Sequence, residues 1–205
     1  MSENDKARAP LLRPDWDYVS GASLEALTPS EWALLGRQRA AYLAERQAAQ
    51  VLANFAALGR EPSFGYEITM YAHGLQTATL MHRDGLDEET VVVGLLHDIA
   101  YDTAPATHGA VAAAMLGPYC AERHAWMLRH HQVFQAWHFT TLPGADRTAR
   151  ERFRGHPHFD WAARFVERYD QVTIRADFDG MPIAAFEPMV RRFYAKAPRR
   201  VDPAG

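Results

Sequence analysis

Histidine and aspartate residues in the middle of this chain have the types and spacing of metal ligands. Imidazole nitrogen and carboxylate oxygen together suit iron, manganese or zinc, and one carboxylate can bridge two metal ions. The sequence therefore predicts a metalloenzyme whose site is built from residues far apart in the chain. The candidate ligands are His73, His97, Asp98, His108, His131 and Asp170.

The surroundings of the His97-Asp98 pair support this prediction. Residues 87–90, Asp-Glu-Glu-Thr, are typical of a helix start, and the apolar run 91–96 predicts a helix that buries the residues at its end. A buried carboxylate without a partner is costly, so Asp98 requires hydrogen bonds or a cation. A bound metal ion satisfies it most simply.

The remaining histidines fall into two groups. Any one histidine taken alone is more often a core or surface residue than a ligand, so the prediction depends on the set. His130 adjoins His131 and could be the ligand in its place, and His138 could line a pocket. The others lack ligand spacing and are expected on the surface or in loops: His82, His124, His156 and His158.

Composition predicts one domain and excludes several classes of protein. The chain has 205 residues, 48% of them hydrophobic, and we expect an irregular N-terminal arm over residues 1–28 and a single helical domain over 29–205. The net charge of -3 argues against nucleic acid binding. Cys120 is the only cysteine and no stretch is typical of a signal peptide or membrane span. We expect a cytoplasmic enzyme with a small-molecule substrate, and the oligomeric state stays open.

The pattern along the chain is helical. Residues 28–31 have the form of a capping box and open a long helix over 32–58, which Gly59 stops. Pro188 is expected to kink the last helix or to divide it. The predicted fold is all-α, and ligands on its separate helices can meet only if those helices converge. Further helices are predicted at 68–83, 88–99, 108–116, 120–134 and 157–170, with a long loop at 139–158 that could cover a site.

Several stretches resemble the HD-domain superfamily, in particular its branch of mixed-valent di-iron oxygenases, which includes myo-inositol oxygenase and organophosphonate-cleaving oxygenases. The likeness extends over about residues 64–196 and implies an HD-domain helical bundle. Its strongest pieces are Tyr-Ala-His-Gly-Leu-Gln at 71–76, Leu-Leu-His-Asp-Ile at 95–99, His-Gly-Ala-Val-Ala-Ala at 108–113, Met-Leu-Arg-His-His at 127–131 with Trp-His at 137–138, and Phe-Val-Glu-Arg-Tyr-Asp at 165–170.

The resemblance implies a role for each candidate ligand, and its register selects His131 over His130. The resemblance implies that an Fe(II)/Fe(III) pair would bind a substrate hydroxyl at one iron and O2 at the other, and that oxygenation would cleave a carbon-carbon or carbon-phosphorus bond. Because that scheme needs no side-chain base, the six ligands are the expected catalytic residues. The family pattern places His73, His97 and Asp170 on one iron and His108 and His131 on the other, with Asp98 bridging.

The positions expected to contact the substrate depart from the family pattern. Tyr101 stands where inositol oxygenase has a lysine and the phosphonate enzymes a histidine. Gln135 and Glu167 stand where the phosphonate enzymes have a lysine and an arginine, the cationic donors that a phosphonate favours. Arg164 could supply such a charge, and nearby aromatic side chains favour a quaternary ammonium group. Our hypothesis is a 1-hydroxy organophosphonate substrate, including those that bear an amino or trimethylammonium group, held by Tyr66, Tyr101, His138 and Arg164.

For Tyr66 the resemblance leads to a more specific hypothesis about contact with an iron or the substrate. Phosphonate oxygenases of this family have a tyrosine ten residues before the first ligand histidine that can occupy an iron until substrate displaces it, but this chain has Ser63 there. Tyr66 comes three residues later, in the place of a supporting glutamate. We expect its phenol to be a displaceable iron ligand or a hydrogen-bond donor to substrate; a tyrosine with its hydroxyl in solvent is the alternative.

Two other functions fit the same residues. An HD-type phosphohydrolase would use its metals to activate water against a nucleotide or another phosphate ester. Di-metal phosphodiesterases of the HD-GYP type share the neighbouring His130-His131 pair, but their Gly-Tyr-Pro signature is absent from this chain. The third possibility is a non-catalytic domain that keeps metal for structure. The two histidines beyond the basic set suggest a second metal and favour the oxygenase.

Overall fold

In a computed structural model, the chain is described at residue 13 and over residues 15–63 and 65–199. Every regular element in these ranges is helical, which confirms the all-α prediction. Most of the first half of the predicted arm, residues 1–12 and 14, lies outside the described residues, as do Phe64 and 200–205. The α-helices are α1 (Pro29–Ala57), α2 (Met70–Arg83), α3 (Glu88–Leu96), α4 (His108–Leu116), α5 (Glu122–Gln135), α6 (Phe159–Phe165) and α7 (Ile183–Tyr194).

The chain divides into two compact units, residues 1–47 and 48–205, with the boundary inside α1. In the first unit the predicted capping box is present. The backbone N–H of Thr28 donates to Glu31 Oε2 at 2.8 Å, and the N–H of Glu31 donates back to Thr28 Oγ1 at 3.3 Å. Gln38 binds the preceding segment through both polar atoms of its side-chain amide. Its Oε1 accepts from the backbone N–H of Asp17 at 3.1 Å, and its Nε2 donates to the carbonyl of Asp17 at 3.0 Å. The division into an arm over 1–28 and a domain over 29–205 stays a prediction.

The second unit contains the apolar core, and two glycines allow its helices to approach closely. A Cβ on Gly74 of α2 would lie 2.6 Å from the carbonyl oxygen of Leu95 on α3. A Cβ on Gly109 of α4 would lie 2.5 Å from the carbonyl oxygen of Leu128 on α5. Each glycine comes directly after a candidate ligand, His73 or His108, so close backbone packing brings the ligand-bearing helices together.

Three sequence-based expectations about the helices were wrong in part. Pro188 does not divide the last helix, because it removes only one backbone hydrogen bond while the face carrying Phe186, Val190 and Phe193 is buried. The segment 139–158 is not entirely loop, since it contains a 3₁₀ helix at Ala149–Phe153. The helix beginning near residue 88 ends at Leu96, so the His97-Asp98 pair lies in the turns after it.

A π-helical turn at Val166–Asp170 continues α6 and was not predicted. Its bonding is seen in the N–H of Gln171, which donates to the carbonyl of Val166 at 3.0 Å. The wider turn buries Val166, Tyr169 and Asp170 together. Single π turns inside helices are frequent at functional sites, and this one carries a candidate ligand. Within the described ranges, no helix is long and apolar enough to cross a membrane.

Candidate metal centre

The six predicted ligands converge in the interior of the second unit. None of their side chains is more than slightly exposed, since each residue has at most 5% of its surface accessible. They come from the first turn of α2, the turn after α3, the first residue of α4, the last turns of α5 and the end of the π turn. In that order, the residues are His73, His97 with Asp98, His108, His131 and Asp170.

All four histidines of this set are oriented in the same way. Each Nδ1 lies 2.8 or 2.9 Å from a backbone carbonyl oxygen, so each Nδ1 carries the proton and donates. Each Nε2 lone pair is therefore directed into the centre, as in histidines that ligate metals. The carbonyl acceptors of His73, His97, His108 and His131 belong to Thr173, Gly94, Pro105 and Leu128, respectively.

The Asp98 carboxylate lies between two groups of imidazoles. Its Oδ1 is 3.0 Å from Nε2 of His108 and 3.1 Å from Nε2 of His131. Its Oδ2 is 3.4 Å from Nε2 of His97 and 3.7 Å from Nε2 of His73. One carboxylate thus faces both groups, an arrangement that suits a bridge between two cations.

Asp170 completes the group on the Oδ2 side of Asp98. Its Oδ1 is 3.4 Å from Nε2 of His73 and 3.6 Å from Nε2 of His97. We call His73, His97 and Asp170 the first cluster, and His108 with His131 the second cluster. The donor atoms of the first cluster are close enough to hold a metal ion, as are those of His97, Asp98 and His131.

The donor atoms require positive charge between them. Nε2 of His73 lies 3.2 Å from Nε2 of His97, and Nε2 of His108 lies 3.1 Å from Nε2 of His131. With every Nδ1 protonated, lone pairs face each other across these short distances and repel unless a proton or a metal ion lies between them. Two imidazole pairs and two buried carboxylates therefore fit metal ions well.

The pKa values of the centre agree with this need for positive charge. Burial lowers the pKa of His97, but the carboxylates of Asp98 and Asp170 outweigh it and raise that pKa to about 9. Burial likewise opposes the rise in the pKa of His108, which its hydrogen bond to Asp98 produces. The pKa values of both carboxyls are lowered by neighbouring histidines despite burial. The carboxylates thus attract positive charge, and metal ions would replace protons there.

A cavity of about 360 Å³ opens onto His73 and Asp170 of the first cluster and onto Asp98. Three of the four predicted substrate contacts, Tyr66, Tyr101 and His138, line it. Arg164 does not line it: its side chain is exposed on α6, and its charge acts on Asp84 instead. The separation of Arg164 from Asp170, six residues, is not a whole number of turns, so the two side chains leave the helix on different sides. The lining residues are Tyr66, Ile68, Met70, His73, Asp98, Tyr101, Gln135, His138, Phe139, Asp170, Gln171 and Ile174.

Two histidines outside the centre have other roles. The ring of His130 packs on Trp126 and Phe153, both with centroids at 4.6 Å, so the structure brings His131 and not His130 to the centre. Burial, followed by the charge of Arg129, lowers the pKa of His130 to about 4. His124 was expected at the surface but is fully buried.

Two residues that hold the centre were not predicted from the sequence to do so. Gln135 donates from Nε2 to Oδ2 of Asp170 at 2.9 Å. Thr173, which is buried, offers its carbonyl to His73 and donates its hydroxyl to the carbonyl of Asp170 at 2.7 Å. In the sequence, the four-residue spacing from His131 to Gln135 could have indicated this role for Gln135, because it places both residues on one face of a helix.

Comparison with known proteins reveals a distant similarity. No family model matches the chain. It is similar to a (1-hydroxy-2-(trimethylamino)ethyl)phosphonate dioxygenase (glycine-betaine-forming) of Leisingera caerulea, with 26% identity over 170 residues that cover 67% of this chain and 85% of that protein. That relative is a dioxygenase, so the similarity is consistent with an enzymatic role for this chain.

Proposed function

We propose that this protein is a di-iron oxygenase of the HD-domain type that uses O2 to cleave a small hydroxylated substrate. The observation that carries the proposal is the position of Asp98, whose two oxygens face separate imidazole pairs at 3.0 to 3.7 Å. A site for a single metal has no need of the second cluster. The dioxygenase relative supports oxygen chemistry over hydrolysis.

The residues of the two clusters would hold the irons, with Asp98 between them. When bound, the iron pair would supply Lewis acidity for a substrate hydroxyl and a redox centre for O2, whereas the electrons that reduce O2 in the net reaction come from the substrate carbon. The chain contributes the fixed orientation of its histidines through their Nδ1–H bonds and a buried centre that limits access of water. For a 1-hydroxyphosphonate, the carbon-phosphorus bond breaks, and the net reaction consumes one O2 and leaves a carboxylate and inorganic phosphate.

The cavity lining favours a substrate with an ammonium group. Within the described chain, the lining contains no lysine or arginine, whereas Tyr66, Tyr101 and Phe139 supply aromatic surface. Aromatic faces attract quaternary ammonium ions. Burial, followed by the charge of Asp98, raises the pKa of Tyr101, so its phenol stays protonated and can donate a hydrogen bond. A trimethylammonium-bearing 1-hydroxyphosphonate is therefore the first substrate to test.

Tyr66 is the cavity residue for which we propose contact with an iron or with the substrate. Gly65 has a φ of 115°, which lets the chain turn sharply before Tyr66. The tyrosine is 57% exposed and lines the cavity. These features support the hypothesis that its phenol meets an iron or the substrate.

Oxygen uptake tests the reaction class. We expect the anaerobically prepared, iron-loaded protein to consume one O2 per phosphate released from a 1-hydroxyphosphonate with a trimethylammonium group. Release of phosphate from phosphate esters without O2 would instead identify a hydrolase.

A further inference from the structure

Gln135 connects the two clusters through the last turns of α5. It lies one turn after His131 and is the final residue of that helix. Its Nε2 donates to Oδ2 of Asp170 at 2.9 Å, while the other oxygen of Asp170 faces His73 and His97. Gln135 therefore forms a hydrogen bond with a candidate ligand, although it belongs to neither cluster.

This hydrogen bond determines which carboxylate oxygen of Asp170 faces His73 and His97. The residue ends a π turn and is 2% exposed, so Oδ2 has little access to water. Without a donor, Oδ2 would be left poorly satisfied, and rotation of the carboxylate would bring it towards His73 and His97 in place of Oδ1. Hydrogen bonds to ligating carboxylates commonly fix such orientations.

A neutral donor suits this position. A cationic side chain would form an ion pair with Asp170 and compete with a metal ion for the carboxylate, whereas an amide binds Oδ2 without adding charge. Gln171, the other amide in the cavity lining, does not make this contact, because its Nε2 donates to the carbonyl of Glu167 at 3.0 Å.

We propose that Gln135 is a positioning residue, which holds Oδ2 of Asp170 so that Oδ1 alone faces His73 and His97, and so sets the metal affinity of the first cluster. The proposal rests on the metal centre of the proposed function, but it requires neither oxygen chemistry nor a particular substrate.

Zinc titration of the metal-free protein by calorimetry tests this role without redox chemistry. Gln135→Met keeps the length of the side chain and removes the donor. We expect the binding event that Asp170→Ala abolishes to weaken about 10- to 100-fold in Gln135→Met, and the other event to keep its wild-type affinity. Gln171→Met is the matched control and should leave both affinities unchanged.

Three results would overturn the proposal: wild-type zinc affinities in Gln135→Met, equal weakening of both events with a lower melting temperature, or no zinc binding by the wild-type protein. The second result would assign Gln135 a purely structural role. If Gln135→Met weakens one event selectively but no hydroxylated substrate drives oxygen uptake by the wild-type protein, the positioning role stands and the oxygenase proposal fails.

Discussion

Nε2 of His131 lies 3.1 Å from Oδ1 of Asp98, although the two residues are 33 positions apart in the chain. The opposite oxygen of Asp98 faces Nε2 of His97 at 3.4 Å. A change at Asp98 should therefore disturb both clusters, whereas a change at His131 should disturb one. This asymmetry makes the metal content of variants informative.

Metal analysis of protein made in iron-supplemented cells tests that asymmetry. We expect about two metals per chain in the wild type, almost none in Asp98→Ala and about one in His131→Ala, because only Asp98 faces both clusters. His130→Ala is the control and should keep the wild-type content, since its ring packs on Trp126. Equal losses in His130→Ala and His131→Ala would contradict the assignment.

Substitution of Tyr66 tests its proposed contact with iron. A phenolate bound to ferric iron absorbs visible light, so the oxidised protein should be coloured. We expect Tyr66→Phe to lose this band and true substrate to bleach it in the wild type. Tyr18→Phe, which changes another exposed tyrosine in the first unit, should keep the band. If Tyr66→Phe retains both the spectrum and the substrate affinity, Tyr66 is not a ligand.

Because the helices pack closely at Gly74, a single added methyl group there should strongly affect stability and metal binding. A Cβ there would meet both the carbonyl oxygen of Leu95 and, at 2.7 Å, the ring of Phe55. Gly74→Ala should lower the free energy of unfolding by about 1 to 3 kcal/mol and should weaken metal binding by displacing His73. Gly36→Ala, at a helical position where an added Cβ has nothing within 4 Å, should raise the free energy of unfolding by up to about 1 kcal/mol. Urea unfolding measures both, and equal stability of the two variants would refute the packing argument.

Because His124 is buried, we expect the protein to lose stability in acid, and this loss does not depend on the metal centre. Burial, followed by the charge of Arg123 on the same helix, lowers its pKa from 6.5 to about 4, while Glu89 and Asp87 of the α3 region oppose the shift and His158 adds to it. The folded state thus binds the proton less readily than the unfolded state. The contribution of His124 is fully present above pH 6.5 and is lost as the pH falls towards 4, with a limit of about 3 kcal/mol.

Unfolding curves of the metal-free protein between pH 4 and 7 measure this contribution. We expect His124→Gln to flatten the pH dependence relative to the wild type. His82→Gln, at an exposed position, should leave it unchanged. A wild-type pH dependence in His124→Gln would show that other groups cause the loss.

The sequence was sufficient to predict the helices, because helix caps and apolar runs are local signals. The expectation that the ligands converge depended on the spacing of the histidines and aspartates and on the resemblance to a metal-binding family. It could not predict the π turn before Asp170, which tertiary burial of Tyr169 and Val166 stabilises. Nor did it indicate that His124 is buried or that Arg164 leaves its helix away from the cavity. These features depend on which other helix packs against each face of a helix, and the sequence of one helix alone does not determine that.

EPR of the anaerobically prepared, partly oxidised protein can show whether Asp98 joins two irons in one centre. We expect the signal of an exchange-coupled Fe(II)/Fe(III) pair, with about two irons per chain, that changes when a 1-hydroxyphosphonate is added and is absent in Asp98→Ala. An isolated mononuclear ferric signal with one iron per chain, unaffected by substrate, would contradict the account.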